Sequence, residues 1–195
     1  MNKNYGVLIL AAGASRRMGT SKQLLQIDGQ SLLRKTIQTA LAISPFQCAV
    51  VLGADFEVHV KEIEGLPVEG IHNPEWDNGI GSSIKAGIRS LQRNPPDAFF
   101  ILVCDQPLLT HSHLKRMADR YESTGSAIVA STYQEIAGVP ALFDWSVSEK
   151  LLQLEDNEGA KKIIKAMCTS FVDFEGGETD LDTEGDYNQF LNKHP

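Results

Sequence analysis

One α/β domain, a mostly parallel sheet with helices on both faces, is the fold this sequence predicts, and three features predict it. Short apolar runs alternate with segments of helical spacing, the pattern that crossover connections between parallel strands require. Of the 195 residues, 42% are apolar and 16 are glycine, a composition that buries a core and does not fit a disordered chain. The length is that of one domain, residues 1 to 195, without repeats or low-complexity tracts.

The elements read off in order. Tyr5–Ala11 is an apolar run of strand length. Residues 12 to 22 form a loop of small residues and cations, and residues 23 to 29 a connector with Asp28-Gly29 as its turn signal. Ser31 is placed to cap a helix to about residue 42, with Leu32, Leu33, Ile37 and Leu41 on its inner stripe. A strand at 48 to 52 comes next, then a short helix to Ile63 capped by Asp55, then a brief strand near 68 to 72. The polar, glycine-rich stretch from Asn73 to Gly81 leads to a helix capped by Ser82 or Ser83 and ended by Asn94-Pro95-Pro96. Ala98–Val103 is the most continuously apolar run and belongs at the centre of the sheet. Thr110 opens a helix to Glu122. Strands at 127 to 131 and 139 to 143 enclose a turn at Gln134-Glu135. Helices at about 147 to 154 and 158 to 167, a strand at 170 to 174 and a closing helix at 184 to 191 complete the chain.

Charge and cysteine content narrow the function. A net charge of −7 argues against broad nucleic-acid binding, which needs a basic face. No run approaches the roughly 20 apolar residues of a membrane span. Lys3 ahead of an apolar run imitates a leader peptide, but the run is short and feeds Arg16-Arg17, so it reads as a core strand. Cys48, Cys104 and Cys168 lack metal-ligand spacing and read as small buried hydrophobes in a reducing, cytoplasmic setting. The histidines at 59, 72, 111, 113 and 194 lack helical metal spacing, and no Ser–His–Asp order stands out. His111 and His113, on the loop after Asp105, either reach the site or serve as capping or surface residues, and the second is the favoured reading.

The chemistry concentrates at the first loop. After the strand, Ala11, Ala12 and Gly13 let backbone N–H groups approach a ligand closely, and Arg16, Arg17 and Lys22 come soon after. A strand feeding such a loop is a place for phosphate. It is neither common phosphate loop: five residues separate Gly13 from Gly19, which Thr20 and not lysine follows, and Ala14-Ser15 stand where a dinucleotide fingerprint needs its second glycine. Asp105 directly follows the most apolar strand, where a carboxylate is placed to hold Mg²⁺ against substrate phosphates. A turn or capping aspartate is the competing reading. Ser82 and Ser83 open a helix where they either cap it or meet a ribose or base edge, and Gly79 and Gly81 would let backbone approach the base. The tail offers Asp180, Asp182 and Asp186, either ligands or a solvated acidic loop.

These residues carry a resemblance. Leu10-Ala-Ala-Gly-x-Ser-x-Arg-Met-Gly-x-x-Lys22 resembles the signature loop of nucleotidyltransferases with a single Rossmann-like α/β/α domain, the nucleotide-diphospho-sugar transferase-like superfamily. Asn73-x-x-Trp76-x-x-Gly79-x-Gly81-Ser82-Ser83, Cys104-Asp105-Gln106-Pro107, Gly138-Val139-Pro140-Ala141-Leu142-Phe143 and Asp180-Leu181-Asp182-Thr183 extend it over nearly the whole chain. Within the superfamily the chain is most similar to the molybdenum cofactor cytidylyltransferases of the MobA-like NTP transferase family. The resemblance implies Asp105 and Asp182 as ligands of Mg²⁺, Lys22 beside the reacting phosphate, and Arg16, or Arg17 by the other reading of the motif, on the leaving phosphates. Leu10, Ala11, Ala12, Gly13, Gly81, Ser82 and Ser83 would complete the nucleotide site, with Ala11-Ala12 pointing to cytidine. It implies CTP and molybdopterin as substrates, and a molybdenum hydroxylase or its chaperone as recipient of the product. Residues to about 110 would hold the nucleotide and 111 to 195 the acceptor. Where those enzymes carry Gly-Asp-x-Gly-Ala-Arg, this chain has Asp156-Asn157-Glu158-Gly159-Ala160-Lys161, a departure that bears on the acceptor. Transfer to a sugar or polyol phosphate, and a non-catalytic cofactor carrier, are the alternatives.

Overall fold

A computed structural model describes residues 3 to 167 and 170 to 194. Cys168, one of the three cysteines read as buried hydrophobes, lies outside them. In chain order the strands are β1 (Tyr5–Ala11), β2 (Gln26–Ile27), β3 (Gln30–Ser31), β4 (Gln47–Leu52), β5 (Glu69–His72), β6 (Ala98–Val103), β7 (Ile128–Tyr133), β8 (Ile136–Asp144) and β9 (Ser170–Asp173). The helices are α1 (Leu32–Leu41), α2 (Phe56–Ile63), α3 (Ile80–Leu91), α4 (His111–Thr124), α5 (Ser148–Leu152), α6 (Lys161–Ala166) and α7 (Glu184–Lys193).

Seven strands form one sheet in the order β5-β4-β1-β6-β8-β7-β9, with β6 in the middle as its apolar sequence requires. Only β8 runs against its neighbours in that sheet. β2 and β3 make a separate two-stranded hairpin whose turn is Asp28-Gly29, both at positive φ, the conformation a two-residue hairpin turn demands. Period-two alternation splits the core into two layers. Val7, Ile9 and Ala11 face α1, α4 and α7, burying Leu33, Leu114 and Phe190. Leu8, Leu10 and Ala12 face α3, α5 and α6, burying Ile84, Leu151 and Ile164. Cys48 and Cys104 are buried free thiols, and burial pushes each up to about 12, which leaves them as unreactive fillers.

Four local expectations need correction. Ser82 and Ser83 do not cap α3: Gly79 occupies the N-cap, one turn earlier, because the loop before it turns through Asn73 and Trp76. Asp55 precedes α2 as expected but sits in the left-handed region and makes no side-chain cap bond. The two helices expected between 147 and 167 shrink to α5 and α6, with residues 153 to 160 forming a loop whose carbonyls face Gly79 and Gly81. His113 is not at the surface but buried, 2.8 Å from the Ser131 hydroxyl. No helix among the described residues is long and apolar enough to cross a membrane.

Candidate active site

β1 and β6 are parallel neighbours with Leu10 paired to Val103, so the loops after these two strands emerge at the same edge. This is the carboxyl edge of the sheet, where open α/β folds bind ligands. A cleft of about 270 Å³ opens there, walled by Leu10, Ala12 and Gly13 on one side, Trp76 and Ile80 on another, and Asp105 at its end.

Lys22 crosses this cleft. Its Nζ donates to Asp105 Oδ2 at 2.5 Å and to Asp182 Oδ1 at 3.3 Å. The second oxygen of Asp182 accepts from Arg17 Nη2 at 2.7 Å. Asp182 is brought in by the tail: the Leu181 amide donates to the Asp105 carbonyl at 3.1 Å, and Thr183 starts α7 with a reciprocal capping box to Asp186. Burial alone would lower the Lys22 ammonium, but Asp105 and Asp182 outweigh it and hold it above the usual lysine value. Partial burial, and then the charges of Asp105 and Asp182, push Asp180 up to about 6. Three carboxylates thus crowd two cations.

That crowding tests whether a divalent ion fits. Hard carboxylate oxygens from Asp105 and Asp182 converge on one cationic position, now held by Nζ, and two carboxylates plus phosphate oxygens are what Mg²⁺ takes. Among the described residues no group of three or more His, Cys, Asp or Glu side chains is arranged to hold a metal unaided, so substrate oxygens would have to complete the shell.

The loop carrying Lys22 is stapled from within. Gln23 is buried; its amide nitrogen donates to the carbonyls of Ala11 and Gly13, and its oxygen accepts from Ser15 and Ser21. Ser15 Oγ in turn accepts from the Lys22 amide at 2.9 Å. The opposite wall is tied by Asn73, whose Nδ2 donates to Ser82 and Ser83 and whose Oδ1 accepts from the Glu75 amide. The two walls meet at Gly53. A Cβ there would lie 2.5 Å from Trp76 Cβ and 2.8 Å from the Ala12 carbonyl, so only glycine lets them approach.

The candidate residues therefore divide. Lys22, Asp105 and Asp182 come together, and Leu10, Ala11, Ala12, Gly13 and Ser83 line the same cleft. Arg16 stands apart at the mouth, exposed, paired with Asp77 at 2.5 Å and 6.0 Å from the Trp76 ring centre. Arg17, the other reading of the motif, reaches the carboxylates. Gly81 and Ser82 do not line the cleft. The Gly81 amide donates to the Asp156 carbonyl at 2.8 Å, and Ser82 Oγ donates to the carbonyls of Glu75 and Gly79. Sequence reasoning passed over Gln23, Gly53 and His59. Gln23 gave no signal in a polar connector, but His59 did: Phe56, His59, Val60 and Ile63 form the inner stripe of α2.

Known proteins resemble this chain in sequence and fold. "Purine catabolism protein PucB" of Bacillus subtilis is 25% identical over 175 residues, 82% of this chain and 80% of that protein. A "Probable molybdenum cofactor guanylyltransferase" of Synechococcus elongatus is 29% identical over 119 residues, 61% of this chain. The chain spans 59% of that relative's length and 27% of the length of a bifunctional GlmU protein of Rhodococcus jostii that it also matches. Among solved structures, Rv0371c of Mycobacterium tuberculosis superposes with a TM-score of 0.85 at 22% identity, covering 98% of this chain and all of that one, and a further structure of Rv0371c is a complex with manganese. Residues 7–171 match the model of the MobA-like NTP transferase domain, and the chain belongs to that family of nucleotidyltransferases.

Proposed function

We propose that the protein moves CMP from CTP to the phosphate of molybdopterin, with Mg²⁺, and releases pyrophosphate. The observation that carries the reading is the meeting of the Lys22 ammonium with the Asp105 and Asp182 carboxylates in one cleft at the sheet's carboxyl edge. The relative named for guanylyl transfer to molybdenum cofactor supports the acceptor. The Ala11-Ala12 pair, through the resemblance, supports cytidine.

In this reading an oxygen of the acceptor phosphate forms a bond to the α-phosphorus of CTP. The bond between that phosphorus and the α–β bridging oxygen breaks, and pyrophosphate leaves with the electron pair. A phosphate dianion needs no base to attack. Lys22 turns from the carboxylates to the α-phosphate, where charge develops, and Arg16 or Arg17 meets the departing phosphates. Asp105 and Asp182 would hold Mg²⁺, which when bound would neutralise phosphate charge. Cys104, buried and with its thiol pushed up to about 12, is no nucleophile, in keeping with direct transfer.

Pyrophosphate release is measured with CTP and GTP, each against molybdopterin, a sugar phosphate and a polyol phosphate. Release with CTP and molybdopterin above every other pair is expected. Preference for another nucleotide or acceptor overturns that assignment, and no release with any pair, while nucleotide still binds, favours the carrier reading. Substituting Arg16 and Arg17 in turn assigns the phosphate contact.

A further inference from the structure

The loop that carries Lys22 ends its hydrogen-bond chain on a histidine from another element. Gln23 Nε2 donates to the Ala11 carbonyl at 3.0 Å and the Gly13 carbonyl at 2.7 Å, which fixes the amide's orientation and leaves Oε1 as acceptor. Ser15 and Ser21 hydroxyls reach that oxygen at 3.0 and 2.9 Å. Ser21 Oγ reaches both Gln23 Oε1 and, at 2.6 Å, His59 Nε2, so the contact ties the Lys22 loop to α2. The ring also engages the Ala54 backbone at the start of α2. His59 is fully buried on α2; burial outweighs Asp55, the Ala54 carbonyl and Glu62 and keeps the ring below the usual histidine value, hence neutral.

We infer that His59 is a positioning residue for nucleotidyl transfer: through its Nε2 hydrogen bond with Ser21 it fixes the backbone from which the Lys22 ammonium reaches Asp105. This rests on the role proposed for Lys22. Packing alone does not ask for a 2.6 Å hydrogen bond between a fully buried ring and a neighbouring loop; a leucine would fill the stripe without it. The consequence is kinetic, because small displacements of a group that acts on the reacting phosphate cost rate more than binding.

Three variants, His59→Leu, His59→Gln and Ser21→Ala, are assayed by pyrophosphate release with the nucleotide and acceptor that the unaltered protein turns over, and each is checked by thermal melting. His59→Leu is expected to lose about tenfold in kcat with KM for the nucleotide within about twofold. His59→Gln, whose amide can donate or accept from a similar place, recovers to within about threefold of the unaltered protein, and Ser21→Ala matches His59→Leu, with the double variant no worse than either. A folded His59→Leu protein with undiminished kcat, a His59→Gln protein no better than His59→Leu, or additive losses overturns the inference. Should His59→Leu fail to fold, Ser21→Ala decides. Nitrogen NMR of the imidazole reads the bond without any substrate: an Nε2 resonance that moves on Ser21→Ala is expected, and one that does not move refutes the bond. A Lys22→Ala protein of normal rate would sink the proposed function instead, whatever the imidazole resonance does.

Discussion

The carboxyl edge of the sheet is charged at one end and neutral at the other. At the tips of β1 and β6, Lys22, Arg17, Asp105 and Asp182 lie within one network. Beside them, towards β8, a recess of about 130 Å³ is lined by apolar groups such as Ile80, Val103 and Val139, with Lys161 at its margin. The cleft and the recess share Leu10, Ile80 and Val103 as wall residues. On the proposed reading the difference separates chemistry from shape recognition: charges that would stabilise a transition state are concentrated and partly buried, whereas a largely apolar recess would select an acceptor by fit.

The largest expected effect breaks the charged end. Lys22→Ala leaves Asp105, Asp182 and Asp180 facing one another without their shared cation. Turnover is expected to fall by about 10³-fold, the scale for removing a preorganised cation or donor at a developing charge, while far-ultraviolet dichroism stays native. Asp105→Asn comes close behind, with the added signature that the Mg²⁺ concentration for half-maximal rate rises. An Asp105→Asn protein with unchanged metal dependence removes the metal assignment.

Next comes the seam between the walls. Gly53→Ala sets a methyl 2.5 Å from Trp76 Cβ, in contact with side chain and backbone at once. The Trp76 wall must retreat, and KM for the nucleotide is expected to rise about tenfold with a loss of about 1–3 kcal/mol in stability, the usual scale of overpacking. Equilibrium denaturation and nucleotide titration check both. A normal KM would show that the second wall does not touch the nucleotide.

Legibility in the sequence divides along the same line. Alternating apolar runs placed nearly every strand, and Thr110 and Ser31 capped their helices as their types predict. Asp105 was legible because it lies just beyond the end of a buried strand, and Lys22 because it closes the loop that the neighbouring strand feeds, a loop whose small residues and cations are visible in the sequence. Gln23 and Gly53 were not, because a buried amide and an exposed one look alike in sequence, and the reason for Gly53 is a contact with Trp76, far along the chain. Ser82 and Gly81 misled because a serine pair at a helix start reads as a cap or a ligand site, while here Asn73 and the loop at 153 to 160 take up their polar groups.

Acid stability is expected to rest on a buried histidine of α4 that lies outside the apolar recess, against Phe174 in the other core layer. His113 stacks on Phe174 with ring centres 4.6 Å apart; Nε2 lies 2.8 Å from Ser131 Oγ and Nδ1 3.1 Å from Arg116 Nη2. Burial, then Arg116, pushes the ring down to about 4. Because the unfolded ring protonates near 6.5, the unfolded chain binds the extra proton first as pH falls, and stability drops between pH 6.5 and 4 by at most about 3 kcal/mol. Asp180 works in the opposite sense, since its folded carboxyl protonates near 6, above the unfolded value, and so favours the folded chain as pH falls through that range. Asp144, where burial is outweighed by hydrogen bonds, and Glu158 and Asp186, held by hydrogen bonds, keep their carboxyls below the usual range and also lose stability as pH falls. Chemical denaturation across pH 4 to 7 therefore compares the Asp180→Asn protein with the Asp180→Asn/His113→Gln protein. A difference between the two that does not change with pH would discard the assignment.

The smallest effect on the fold separates Arg16 from Arg17. Arg16 and Asp77 form an exposed pair, of the kind that contributes about 0–1 kcal/mol. Arg16 is therefore free to leave Asp77 for a triphosphate at little cost, whereas Arg17 is engaged with Asp182, which also faces Lys22. Arg16→Ala should leave the melting temperature unchanged and raise KM for the nucleotide about fivefold, the loss of one screened phosphate contact, while kcat holds. Arg17→Ala should instead change kcat, because it releases Asp182 and shifts the balance of charge around Lys22. If the two variants trade these signatures, Arg17 is the phosphate cation and Arg16 only steadies the Trp76 wall, and the charged end of the cleft is narrower than the mouth suggests.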